Sequence, residues 1–241
     1  MIKGLLFDLN GTLIDIYTSE TDENIYRTVS NFFDYFNIKI SPAMLKEEYF
    51  TILKRQKQES MEEFPEFDVI KLFDEIIKKY AKNITDTPSP EILAILFRAA
   101  GRYKLELYND VLPTLKKLSA AYPMAAISDG QKIWALPEMH SVGLDKFFNF
   151  VIVSSEYGLR KPDPGMFEKA LQKMHLRPDE IIFIGNDMYR DIFGAHNLGI
   201  KTVFFKTNQG EQNYSGANAD YIIYNFAELI NAVDFINSQK Q

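Results

Sequence analysis

Four short stretches of this 241-residue chain hold side chains suited to a negatively charged oxygen or a hard cation. The first is Phe7-Asp8-Leu9-Asn10-Gly11-Thr12, a carboxylate at the end of an apolar run and before a glycine turn. Ligands of an open parallel sheet gather at the carboxyl ends of its strands, so Asp8 is a candidate nucleophile. An ordinary turn would use the same residues. The second, Ser128-Asp129-Gly130, offers a hydroxyl and turn N–H groups that can hold a phosphate oxygen, or it simply links a strand to a helix. In the third, Gly158 to Pro164, Lys161 is pinned by Pro162 and can fix a positive charge beside a phosphoryl or carboxylate group. A solvated loop lysine ahead of a helix-starting Pro164 is the plainer use. The fourth is Gly185-Asn186-Asp187-Met188-Tyr189-Arg190-Asp191. Its acids, Asp187 and Asp191, can converge on one magnesium ion, which takes oxygen ligands and keeps several waters. Acids opposing a helix dipole would look alike.

Placing these groups together requires particular elements. Short apolar runs that read as buried strands lie at Ile2–Phe7, Met124–Ile127, Phe150–Val153, Ile181–Ile184 and Thr202–Phe205, with a last piece at Tyr221–Ile223. Helical spacing predicts helices over Lys132–Val142, Gly165–His175, Tyr189–Leu198 and Ala227–Ile236, the first bent or broken by Pro137. Strand and helix in alternation predict an α/β fold, a Rossmann-like parallel sheet covered on both faces. From Asp15 to about Asp86 the pattern is helical, charged and aromatic, with no clear strand, and Pro88 and Pro90 read as its boundary. The expected division is an α/β core of residues 1–14 and 87–241 with an inserted all-helical cap over 15–86.

In their order and their positions at strand ends, Asp8–Thr12, Ser128, Lys161 and Asp187/Asp191 resemble the four motifs of the haloacid dehalogenase superfamily. The resemblance covers nearly the whole chain, including Gly194-Ala195 and Ala219-Asp220-Tyr221. It implies that Asp8 attacks phosphorus and forms an aspartyl-phosphate. It implies a magnesium ion held by Asp8, the backbone carbonyl of Asn10 and Asp187, with Asp191 as a ligand or as the group that orients a bound water. Ser128 and the Asp129 N–H would hold phosphoryl oxygens, Lys161 would neutralise them, and Thr12 would fix the nucleophile loop. The helical insert resembles the mobile cap that selects substrate, where Lys54, Arg55 and Lys57 are the basic residues to watch.

One position departs from the pattern. Phosphatases of the superfamily carry an acid/base aspartate two residues after the nucleophile, and here that residue is Asn10. The role is worth roughly 10²–10⁴-fold, and an amide cannot exchange a proton at neutral pH. The expected function is magnesium-dependent hydrolysis of phosphate esters or acyl phosphates, attenuated by Asn10. Two alternatives stand beside it: a metal-independent 2-haloacid dehalogenase with Arg55 assisting the halide, and a non-catalytic regulator that binds a phosphorylated ligand.

Composition limits the partners. Hydrophobic residues make up 46% and charged residues 25%, enough for a sizeable core. The absence of cysteine excludes disulfides and thiolate chemistry and suits a reducing compartment. A formal charge of −6 gives no overall attraction to nucleic acid or anionic lipid. The N-terminal apolar run is too short for a signal peptide, and no run suits a membrane span, so the expected location is the cytoplasm. The three histidines, His140, His175 and His196, show no zinc spacing. The expected partner is a small phosphorylated metabolite, with the chain a monomer or small homo-oligomer.

Overall fold

The computed structural model describes residues 1–239. In chain order its elements are β1 (Gly4–Phe7), β2 (Ile14–Thr18), α1 (Glu23–Asp34), α2 (Pro42–Glu59), α3 (Val69–Tyr80), α4 (Pro90–Gly101), β3 (Arg102–Leu107), α5 (Val111–Leu118), β4 (Met124–Ser128) and α6 (Lys132–Ser141). There follow β5 (Val151–Val153), α7 (Pro164–Met174), β6 (Ile181–Gly185), α8 (Gly194–His196), β7 (Lys201–Phe205), β8 (Tyr221–Ile223) and α9 (Leu229–Ser238).

Six strands form one parallel sheet in the order β5-β4-β1-β6-β7-β8. The expected apolar runs are these strands, each buried because helices cover both faces. Leu5, Phe7, Ala126, Ile182 and Ile184 pack with α5 and α9 on one face. Leu6, Ala125, Ile127 and Phe183 pack with α7 on the other. The alternation along β1 is the period of two that a strand imposes. β1 lies between β4 and β6, with Phe7 level with Ala126 and Ile184, so three strand ends meet at the centre of the sheet edge.

Capping residues explain where the helices start. The side chains of Asp22, Ser41, Asp68 and Ser89 each accept a backbone N–H in the first turn of α1 to α4. The last of these changes the expected division at 86. Pro90 sits in the first turn of α4, where a missing N–H costs nothing, so it opens a helix instead of ending the cap. Leu93, Ala94 and Phe97 of α4 are buried in the same cluster as Tyr26, Phe33, Tyr49 and Phe73 of the other three. The helical unit therefore runs from α1 through α4. It joins the sheet through the antiparallel pair β2–β3, which the sequence pattern did not reveal because those strands are charged and half-exposed.

Trp134 of α6 belongs to the helical cluster, not the sheet core, and its indole N–H donates to the Ala94 carbonyl at 2.8 Å. Pro137 lies inside α6, which continues through it. The expected helix over Tyr189–Leu198 begins as a wide π-type turn, Met188–Phe193, and only then becomes α8. No helix among the described residues is long and apolar enough to cross a membrane.

Candidate active site

Asp8 follows β1, and its N–H donates to the Ile184 carbonyl at 2.9 Å, which seats it between the ends of β4 and β6. Lys161, 2% exposed, reaches it from the loop before α7. The Lys161 ammonium donates to Asp8 Oδ1 at 2.6 Å, Asp191 Oδ1 at 2.6 Å and the Ile127 carbonyl at 3.3 Å, which uses all three of its hydrogens. Burial opposes its charge, but Asp191, Asp8 and Asp129 outweigh that and hold it protonated above the usual lysine range. The Lys161 backbone N–H donates to Asp129 Oδ1 at 2.9 Å, so Asp129 fixes the loop that carries the ammonium.

The fourth stretch folds differently from the expectation. Asp191 turns back under the end of β6, and its Oδ2 accepts the N–H groups of Asn186 and Asp187, each at 3.1 Å. A side chain at Gly185 would collide with it, since a Cβ there would lie 2.5 Å from the Asp191 carboxylate. Burial pushes the Asp191 carboxyl upward, against the pull of Lys161. Asp187, expected as a metal ligand, points elsewhere. Its Oδ1 caps the N–H groups of Tyr189 and Arg190, and its Oδ2 accepts from the Arg190 guanidinium at 2.9 Å and the Glu211 N–H at 3.0 Å. Burial disfavours its charge, yet Arg190 and those donors hold the carboxyl below its ordinary range.

Asn186, not Asp187, faces the nucleophile loop. Its Nδ2 donates to the Gln209 carbonyl at 2.9 Å and the Thr207 hydroxyl at 3.3 Å, which turns its Oδ1 toward the nucleophile loop. Thr12 Oγ1 lies 2.9 Å from Asn186 Oδ1 and 2.9 Å from Asp8 Oδ2, so the two oxygens share one hydroxyl neighbour. Gly11, at φ +90°, lets the loop pass this amide, since a Cβ there would lie 2.5 Å from Asn186 Nδ2. The signal for Asn186 was its place directly after β6. The wide π-type turn that follows lets both residue 186 and residue 191 face the site.

Beside Asp8 and Lys161, Ser128 Oγ and Asp129 Oδ2 are buried and have no hydrogen-bond partner among the described residues. Asp129 Oδ2 does have Arg190 at 3.7 Å and Arg160 at 3.8 Å, neither of which the sequence reading singled out. A buried hydroxyl without a partner calls for a bound group. Beyond these residues lies a cavity of about 340 Å³ bordered by Asn10, Asp129 and Gly130, and on the cap side by Glu20, Lys57, Glu66 and Arg98. Of the three basic residues watched in the cap, Lys57 alone borders this cavity. Lys54 is exposed, and Arg55 is ion-paired with Glu75 on the outside, which removes it as a halide-assisting group.

The oxygen donors suit magnesium, which is commonly held by one or two carboxylates with a substrate phosphate completing the shell. Asp8 and Asn186 converge on Thr12, and the Asn10 backbone lies in the same loop. The set carries less charge than expected, because Asp187 is turned away and no group of three or more His, Cys, Asp or Glu gathers among the described residues.

Comparisons with known proteins show the family of the chain. Residues 5–205 match the model of the haloacid dehalogenase-like hydrolases. The chain is 30% identical over 241 residues to a glyceraldehyde 3-phosphate phosphatase of Methanocaldococcus jannaschii, covering 97% of each. It is 34% identical over 123 residues to one from Pyrococcus furiosus, spanning about half of each chain. In fold it is similar to a 2-haloacid dehalogenase of Pseudomonas syringae, with a TM-score of 0.68 at 19% identity, over 98% of this chain and 99% of that one. The chain belongs to the haloacid dehalogenase-like hydrolase family.

Proposed function

We propose that this hydrolase cleaves small phosphorylated metabolites, monoesters or acyl phosphates, through a covalent intermediate on Asp8. The observation that carries the reading is the buried, unpartnered Ser128 hydroxyl beside the paired Lys161 and Asp8. A dianionic phosphoryl group entering there finds a donor in Ser128 and a fixed positive charge in Lys161. The phosphatase names of the full-length relatives support the same class of substrate.

Asp8 supplies the attacking carboxylate oxygen, and Thr12 orients it. Lys161 pairs with Asp8 and then balances the phosphoryl charge. Asp191 holds Lys161 in place. Asp8, the Asn10 carbonyl and Asn186 Oδ1 would hold magnesium, which supplies charge neutralisation at the phosphoryl oxygens when bound. Asn186 replaces Asp187 in this set.

A second reading has its own support. Amides stand at both Asn10 and Asn186, so a displacement at the carbon of a 2-haloacid, which needs Asp8 but no cation, remains compatible with the site. A screen of phosphorylated metabolites and 2-haloacids, each with magnesium and with chelator, separates the two. The phosphohydrolase releases phosphate and stops when the metal is removed. Chelator-resistant halide release would establish the dehalogenase, and inactivity toward both classes would favour a phospho-ligand-binding regulator.

A further inference from the structure

The leaving oxygen of an in-line displacement departs on the side of phosphorus opposite Asp8. Asn10 borders the cavity there and can hydrogen-bond, but it cannot give up a proton at neutral pH. Four carboxylates face this cavity: Glu20, Glu66, Asp129 and Glu138. Three are committed. Glu138 is held by Arg98 at 2.8 and 3.1 Å and by Arg102 at 3.3 Å. Glu66 accepts from the Phe67 N–H at 3.1 Å and the Ser154 hydroxyl at 2.7 Å. Asp129 accepts the Lys161 N–H.

Glu20 differs from them. It lies on the linker between β2 and α1, and its backbone carbonyl is tied by the Tyr26 hydroxyl at 2.6 Å, which anchors the residue at the cavity wall. Among the described residues its carboxyl forms no ion pair within 4 Å and accepts no backbone N–H. The groups facing it are Arg98 from α4, Glu66 from the loop before α3, and Lys57 and the Tyr49 hydroxyl from α2. Arg98 is already spent on Glu138. Burial raises the Glu20 pKa, Glu66 adds to the rise, and Arg98, Lys57 and Tyr49 oppose it, so the carboxyl keeps its proton at higher pH than an ordinary glutamate.

We propose, on the phosphohydrolase reading above, that Glu20 is the proton donor and acceptor of this enzyme, taking the role that Asn10 cannot fill. In the first step an Asp8 oxygen bonds to phosphorus as the bond to the leaving oxygen breaks, and Glu20 gives its proton to that oxygen. In the second, ionised Glu20 takes a proton from water while the water oxygen attacks phosphorus. The bond to Asp8 breaks, phosphate leaves, and both carboxyls return to their starting states.

The test compares kcat/KM for glyceraldehyde 3-phosphate and p-nitrophenyl phosphate in the wild type, Glu20→Gln, Asn10→Asp and the double variant. Glu20→Gln should lower kcat/KM for the alkyl ester by on the order of 10²-fold. The loss on the nitrophenyl ester should be far smaller, because its leaving group needs less protonation. The wild-type profile should fall as pH rises through the raised Glu20 pKa, since the acid form is required, and that limb should vanish in Glu20→Gln. Asn10→Asp should restore the double variant, which also shows that removing Glu20 leaves the fold intact. An equal loss on both esters, or a double variant no better than Glu20→Gln, would overturn the assignment. If the wild type is active and Glu20→Gln matches it, this assignment alone fails. If the wild type releases phosphate from neither ester, the phosphohydrolase reading fails with it.

Discussion

Lys161 carries the heaviest electrostatic duty in the site, since a buried ammonium is tolerable only with its partners present. Asp8→Asn leaves Asp191 and the Ile127 carbonyl in place for it, so the variant should stay folded by circular dichroism. Its turnover should fall by on the order of 10⁶-fold, as for other lost covalent nucleophiles. The amide at 186 sets a second expectation. Asn186→Asp adds a carboxylate facing Asp8 and should lower the magnesium concentration for half-maximal activity, whereas Asp187→Asn should leave that concentration unchanged. The latter should instead cost at most about 1 kcal/mol of stability, read from urea unfolding, through the weakened pair with Arg190, since asparagine caps a helix about as well as aspartate. With Glu20 in place, Asn10→Asp should change alkyl-phosphate turnover far less than it does in the Glu20→Gln background, and a gain of about 10²-fold in the single variant would count against Glu20 as the acid/base. Asp8, Ser128, Lys161 and Asp191 are legible in the sequence because each follows a strand or sits in a turn fixed by proline or glycine. The place of Asn186 beside the nucleophile loop is not, because spacing in sequence says nothing of a π-type turn.

The strands of the parallel sheet read clearly because burial on both faces leaves continuous apolar runs. Helix α4 does not, since a proline that opens a helix and a proline that ends one look alike until the Ser89 cap is seen. The pair β2–β3 is hidden by its half-exposed, charged strands. α6 has a role that periodicity could not disclose: it carries Trp134 into the helical unit, stacked at 6.4 Å on Phe97 with Arg98 over its ring. Trp134→Ala should therefore destabilise the protein by about 3–5 kcal/mol in denaturant unfolding. It should also raise KM more than it lowers kcat, because Trp134 borders the cavity and touches none of the phosphoryl-binding residues. An unchanged midpoint would mean the helical unit does not depend on α6.

The helical unit docks on the sheet beside the lysine loop. The Glu66 N–H donates to Gly158 and the Arg160 N–H to Phe64, each at 2.9 Å. Gln131 bonds the Val69 N–H at 3.0 Å and the Phe67 carbonyl at 2.8 Å, and Ser154 reaches Glu66. These contacts hold the helical unit over the cavity that Asn10 borders. The central claim, that Asp8 bonds covalently to phosphorus, is tested most directly by trapping with hydroxylamine during magnesium-dependent turnover of p-nitrophenyl phosphate. Mass analysis of the digested protein should find a hydroxamate on Asp8, absent without substrate. Steady phosphate release with Asp8 unmodified, and persisting in Asp8→Asn, would contradict it.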